Sequence, residues 1–203
     1  GFDTADEYLK SMYNPRVTQY LRVTGFEKKC DGAAAVVVMP TEKAKAMGMP
    51  YAPIEVLGTG ASAVEAGLLH NEHWATELAA KQVYDLTGVS PDEIDLFMCN
   101  DFFLASEIVS AEECGYIPRG EAWKYAIDGR TAFDGDKPIN PHGGRCNFGH
   151  AHGASGIADI VEAVKQMRGV AGATQMKKIP ETAFLRGFGG SQNVRCQILR
   201  TVA

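Results

Sequence analysis

The apolar residues of this chain fall into two patterns, short unbroken runs and stripes at helical spacing. Asp31-Gly32 introduces Ala33-Ala34-Ala35-Val36-Val37-Val38-Met39, a continuous run rich in β-branched residues. Such a run after a turn suits a strand covered on both faces, so it predicts a central strand. Ile54 to Gly60, Ile94 to Cys99, Thr182 to Phe188 and Val194 to Leu199 predict four more, the last two joined around Gly189-Gly190-Ser191. Glu72 to Thr87 carries Ala75, Leu78, Ala79, Val83 and Leu86 on one helical face. Ile157, Ile160, Val161 and Val164 repeat the same spacing, and each stripe predicts a buried helix face. Shorter helices are expected from Ala5 to Met12, stopped by Asn14-Pro15, and from Thr41 to Met47, stopped by Gly48. Another runs from the segment after Phe103 to Cys114-Gly115. Ser90-Pro91-Asp92-Glu93 is a capping box with proline at the first helical position. Residues 116–139 read as a long irregular crossing, a kind of loop that usually serves function. The order β-α-β-α-β-α-α-β-β predicts an α/β domain over 31–203, a mixed five-stranded sheet with helices on both faces. Residues 1–30 lack a clear period and read as a segment connecting from something upstream.

Composition narrows the class. The 203 residues are 45% hydrophobic and 22% charged, as in globular domains, and suffice for one sizeable core. A net charge of −5 gives no electrostatic case for nucleic acid or an anionic membrane. No apolar run reaches transmembrane length, and the acidic start, Asp3-Thr4-Ala5-Asp6-Glu7, has no secretory pattern. Cys30, Cys99, Cys114, Cys146 and Cys196 are odd in number and widely spaced, which fits free thiols in a reducing, cytoplasmic setting. His70 and His73 have a spacing that metals use, but no third ligand is near, so a solvated helix start is expected and no metal site.

The chemistry concentrates between Asn140 and Gly156, where five glycines sit among three histidines just before the 157–164 stripe. Glycine permits close backbone approach, and a histidine in so tight a loop has little freedom. Gly149-His150-Ala151-His152-Gly153-Ala154-Ser155-Gly156 resembles the Gly-His-Pro-x-Gly-(Ala/Ser)-(Ser/Thr)-Gly loop of the thiolase superfamily, with Ala151 in place of proline. Read without that resemblance, it is a glycine-rich turn with His150 hydrogen-bonded for structure. Asn100-Asp101-Phe102-Phe103 resembles the Asn-Glu-Ala-Phe of thiolases, and otherwise Asn100 reads as a helix N-cap. Gly187-Phe188-Gly189-Gly190 is similar to their closing Cys-x-Gly-Gly loop, and otherwise reads as a plain hairpin turn. The 31–35 segment resembles the Ser-Asp-Gly-Ala-Ala-Ala that opens the C-terminal half, with Cys30 at the serine.

The resemblance covers about residues 4–203 and implies the C-terminal half of the thiolase fold, closest to the lipid-transfer-protein (sterol-carrier-protein) type. It implies that His150 acts as general base and donates from Nε2 into an oxyanion hole, that Asn100 holds a water there, and that the Gly189 N–H serves a second oxyanion hole. The nucleophilic cysteine and most of the CoA-binding loops belong to an N-terminal half that these residues do not include. Coenzyme A is then a co-substrate, with no covalently bound cofactor, and the expected partners are an acyl-CoA, the N-terminal half within a homo- or hetero-oligomer, and an OB-fold and zinc-ribbon accessory protein. The chain departs from the pattern where thiolases that join two acetyl units keep a second cysteine, since Gly187 and Phe102 stand at those places. Cleavage or formation of a larger 3-oxoacyl-CoA is the leading expectation. A retro-aldolase acting on a 3-hydroxyacyl-CoA and a non-catalytic, lipid-binding scaffold are the alternatives.

Overall fold

The computed structural model describes residues 3–63, 72–189 and 193–202. Four strands make one mixed sheet: β1 (Ile54–Ala63), β2 (Leu96–Cys99), β3 (Thr182–Gly189) and β4 (Asn193–Thr201). Their order is β1-β4-β3-β2. β4 runs antiparallel to both neighbours, and β2 lies parallel to β3 with Phe97 opposite Phe184. The helices are α1 (Ala5–Lys10), α2 (Thr41–Ala46), α3 (Glu72–Thr87), α4 (Leu104–Glu113), α5 (Ala122–Ile127), α6 (Gly144–Asn147) and α7 (Ser155–Met167).

Strand alternation divides the core in two. Phe97, Cys99, Phe184 and Ile198 face a cluster built with Ala79, Val83, Ala111 and Ile117. Their neighbours Leu96, Met98, Leu185 and Leu199 face the opposite cluster with Ala163 and Met167 of α7. Phe97 stacks between Phe184 at 5.5 Å and Tyr116 at 5.1 Å. Each fully buried aromatic here contributes roughly 2–3 kcal/mol through the surface it removes from water. α3 lies on β1 so closely that a Cβ on Gly60 would collide with the Ala79 carbonyl.

The fifth predicted strand is absent. Residues 31–40 form no ladder, and Val37 and Val38 are 84% and 80% exposed. An apolar run signals side chains that seek cover, but a strand also needs a partner backbone, and β1 and β2 at the sheet edges do not receive this one. The outer edge of β2 is met by residues 138–140. Phe97 N–H donates to Pro138 O at 3.2 Å and Asn140 N–H to Phe97 O at 3.0 Å. The Asn140 side chain completes the pairing. Its Oδ1 accepts from Cys99 N–H at 2.9 Å and its Nδ2 donates to Cys99 O at 3.1 Å.

Two predicted helix faces are also corrected. The buried face of α3 is Ala75, Thr76, Ala79, Ala80 and Val83, while Leu78 and Leu86 are 43% and 67% exposed. The close seat on β1 admits only small residues. On α7 the buried positions are Ser155, Asp159, Glu162, Ala163, Gln166 and Met167. Ile157, Ile160, Val161 and Val164 are only half-buried. The helices predicted at 5–12, 41–47, 72–87 and after 103 do form, and the predicted irregular crossing contains α5. The capping box closes a single 3-10 turn over Pro91–Glu93, with Glu93 accepting from Ser90 N–H at 2.8 Å. His70 and the His73 side chain, like Gly190 and Ser191, lie outside the described residues. Among the described residues no group of His, Cys, Asp and Glu could hold a metal, and no helix is long and apolar enough to cross a membrane.

Candidate active site

Asn100 follows β2 directly, so the sheet fixes its backbone, with its N–H donating to Arg186 O at 3.2 Å. Its Nδ2 donates to Phe188 O at 3.3 Å, while its buried Oδ1 has no hydrogen-bond partner among the described residues. It does not cap α4, whose N-cap is Phe103. Asp101, next along, is buried and accepts from Arg145 N–H at 2.7 Å. Burial raises the Asp101 carboxyl above its ordinary value against the pull of that hydrogen bond. α6 reaches it because Gly144 takes φ +61°, at a place where any Cβ would strike the Asp101 carboxylate.

α6 is clamped to α7 by charge. Arg145 Nη1 donates to Asp159 Oδ1 at 2.8 Å, Nη2 bonds Asp159 Oδ2, and Nη2 also reaches Ser155 O at 3.2 Å. Both side chains are buried. Burial pushes the Asp159 carboxyl up to about 6 even with Arg145 drawing it down. His142 lies on the same side, with Nε2 4.0 Å from Asp159 Oδ1 and its ring edge-on to Phe148 at 5.0 Å. Neither of its ring nitrogens has a hydrogen-bond partner among the described residues, and burial pushes the imidazole down to about 4.

The clamp holds the start of α7, and Ser155 there meets His150. His150 Nδ1 lies 2.8 Å from Ser155 Oγ, and the ring stacks on His152 at 4.8 Å. Burial, more than its charged neighbours, lowers the proton affinity of His150. The other nitrogen, Nε2, lies 3.4 Å from Glu27 Oε2. Glu27 belongs to an extended stretch, residues 26–30, laid over the site. Glu27 N–H donates to Phe102 O at 2.9 Å, Lys28 N–H to Arg145 O at 3.0 Å, and His150 N–H to Lys28 O at 2.7 Å. Just upstream the chain folds on the fully buried Asn14, whose Oδ1 accepts from Thr24 N–H at 3.0 Å.

Asn100, His150 and Gly189 all line one pocket of about 370 Å³, together with His152, Ser155, Gly187 and Phe188. Phe188 stacks on Phe102 at 5.8 Å and carries the Arg186 guanidinium at 4.8 Å. A second pocket, of about 340 Å³, is lined by another set that includes Lys45, Met49 and Tyr51, and it shares no residue with the first. No cysteine lines the 370 Å³ pocket. Burial pushes the Cys146 thiol up to about 12 and Cys99 well above its ordinary value, so neither is a ready thiolate. The arrangement offers an imidazole, a buried amide oxygen and a glycine backbone around one cavity. That set suits stabilising a developing oxyanion and moving a proton beside it.

Ser155 lay inside the quoted glycine loop, yet its spacing gave no sign that it would meet His150. Arg145 and Asp159 stand fourteen residues apart, with no local pattern to pair them. Glu27 had no signal at all, because backbone pairing with residues distant in sequence delivers it.

The family described as thiolase C-terminal domain-like matches residues 60–200. The benzoylsuccinyl-CoA thiolase subunit BbsB of Thauera aromatica is 35% identical over 171 residues, which are 81% of this chain and 43% of that protein. An acetyl-CoA acetyltransferase of Methanothermobacter thermautotrophicus is 34% identical over 192 residues, 90% of this chain and 49% of that one. The solved structure of an Ltp2-ChsH2(DUF35) aldolase superposes with a TM-score of 0.77 over 98% of this chain and 51% of its own, at 23% identity, a likeness of fold alone. The chain thus spans about half the length of the relatives it matches. It belongs to the thiolase superfamily, as a C-terminal domain of that fold.

Proposed function

We propose that this chain is the C-terminal half of a thiolase-type acyltransferase that cleaves or forms a 3-oxoacyl-CoA, with its cysteine nucleophile supplied by an N-terminal half. The observation that carries this reading is that Asn100, His150 and Gly189 line the same pocket. In the cleaving direction the partner's thiolate adds to the C3 carbonyl and the C2–C3 bond breaks. The negative charge then rests on the thioester oxygen of the departing enolate. His150 Nε2 and a water held by the Asn100 side chain bind that oxygen, and C2 takes up a proton. The Gly189 N–H steadies the oxygen of the acyl-cysteine intermediate. CoA is the co-substrate that releases the acyl group. Residues 1–30 lead in from the N-terminal half, and the five free thiols fit a reducing, cytoplasmic setting.

Partner contacts belong to the same proposal. BbsB is by name a subunit, and the aldolase structure pairs Ltp2 with ChsH2(DUF35). These support a multi-subunit enzyme with an accessory protein of OB-fold and zinc-ribbon type. The test is turnover of a 3-oxoacyl-CoA by the assembled enzyme. His150→Ala is expected to slow thiolysis by about 10²–10⁴-fold, the usual worth of a positioned acid–base group. An unchanged rate would overturn the assignment. Release of an aldehyde or ketone from a 3-hydroxyacyl-CoA without added CoA would replace it with the retro-aldolase reading. Acyl-CoA or lipid binding with no turnover would leave a scaffold.

A further inference from the structure

Cleaving a 3-oxoacyl thioester leaves a carbanion at C2 that needs a proton, and no cysteine lines the pocket to give one. Beside the pocket, against His150, stands a carboxylate. Glu27 Oε2 lies 3.4 Å from His150 Nε2, with the Glu27 side chain 22% exposed. This is a placed contact. Glu27 N–H is hydrogen-bonded to Phe102 O, the next residue's N–H to Arg145 O, and that residue's carbonyl receives His150 N–H. The carboxylate and the imidazole are therefore mounted on one backbone frame. Ser155 Oγ lies 2.8 Å from Nδ1, which leaves Nε2 as the ring nitrogen beside the carboxylate.

We infer that Glu27 and His150 hold one exchangeable proton between them, and that this pair is the acid that protonates C2 of the leaving acyl-CoA. The inference rests on the thiolase reading above. In the step, the pair's N–H or O–H bond breaks and a C–H bond forms at C2, which neutralises the enolate. CoA attacks the acyl-cysteine as its thiolate, the thiol proton going to solvent, and the pair regains a proton from solvent, which restores the starting state. Glu27 acts here through His150, as a positioning and proton-holding residue. The charged groups that face His150 are Glu27 on the overlying stretch, Asp101 after β2, Arg145 on α6 and His152 on the adjoining turn. Glu27 and Asp101 favour the protonated ring, while Arg145 and His152 oppose it.

The test uses the assembled enzyme with Glu27→Gln and Glu27→Asp, each checked for an unchanged melting temperature. Exchange of the C2 hydrogens of the product acyl-CoA with deuterium oxide is expected to fall at least tenfold in Glu27→Gln. Transfer of the acyl group between CoA molecules, which needs no proton at C2, should fall less than threefold. Glu27→Asp should restore part of the exchange. Exchange within twofold of the parent in Glu27→Gln would overturn the inference, as would an equal loss in both reactions. If the parent assembly shows no thioester chemistry, the thiolase reading fails, and NMR titration of His150 then decides whether the proton is shared. Loss of the Glu27 charge should lower the His150 pKa, and an unmoved titration would end the proposal.

Discussion

His142 shows what one buried ring does to the pH response. Its side chain is 3% exposed and its pKa falls from 6.5 to about 4, chiefly by burial. The groups that face it are Asp159, Glu162, Arg145 and Lys165. A histidine whose folded value is depressed adds stability above its unfolded value, and that stability is lost as pH falls from 6.5 towards 4. The span corresponds to about 3 kcal/mol. Asp159 works in the opposite sense, because its raised value favours the folded state as acid is added. Urea unfolding of the parent and of His142→Asn at pH 7 and pH 4.5 separates them. The variant should lose less stability on acidification, and equal losses would refute the neutral buried ring. The clamp nearby gives a second expectation. Asp159→Asn leaves the buried Arg145 charge without a counter-ion and should destabilise the fold by about 3–5 kcal/mol. Thiol chemistry offers a third. Cys30 is the exposed cysteine, so iodoacetamide should label it first, and mass spectrometry of the peptides would find Cys99 and Cys146 unmodified in the native protein.

Among the elements, sequence pattern served best where local rules decide. Glycine and proline stops and the capping box are local, and the helices they bound form close to the predicted ends. The pattern was misleading where a neighbour decides. Val36 to Val38 have the look of a central strand and form no ladder among the described residues. Leu78 and Leu86 fit an apolar stripe, yet Gly60 and the small alanines set the rotation of α3. The site divides the same way. Asn100, His150 and Gly189 sit in recognisable strings and meet at one pocket, whereas Glu27 and the Arg145–Asp159 clamp arise from tertiary pairing. Asn140 belongs at this scale because its amide stands beside β2 where another strand's peptide would. It also takes φ +44°, which asparagine tolerates better than most residues. Asn140→Ala removes both bonds to Cys99 and leaves buried backbone groups unmatched, at about 2–4 kcal/mol of lost stability in denaturant titration. Asn140→Gly removes the backbone strain yet loses the same bonds, so a loss confined to the alanine variant would show that φ alone matters.

For the molecule as a whole, the exposed valines at 37 and 38 and the half-buried stripe of Ile157 and Val161 are apolar surface in a chain about half as long as its relatives. An N-terminal half would cover such surface. The chain expressed alone should bind an apolar dye and aggregate, and Val38→Lys should reduce both without lowering the melting temperature. Dye binding no higher than that of an ordinary compact domain would contradict this. The stretch at 26–30 has a bearing on how the protein can be cut. Its peptide groups frame the imidazole as a picture rail holds a hook. A shortened version beginning at Asp31 would strip His150 N–H of its acceptor and expose the carbonyls of Phe102 and Arg145. Truncations meant to preserve the pocket should start before Asn14, so that the fold around that residue anchors the frame.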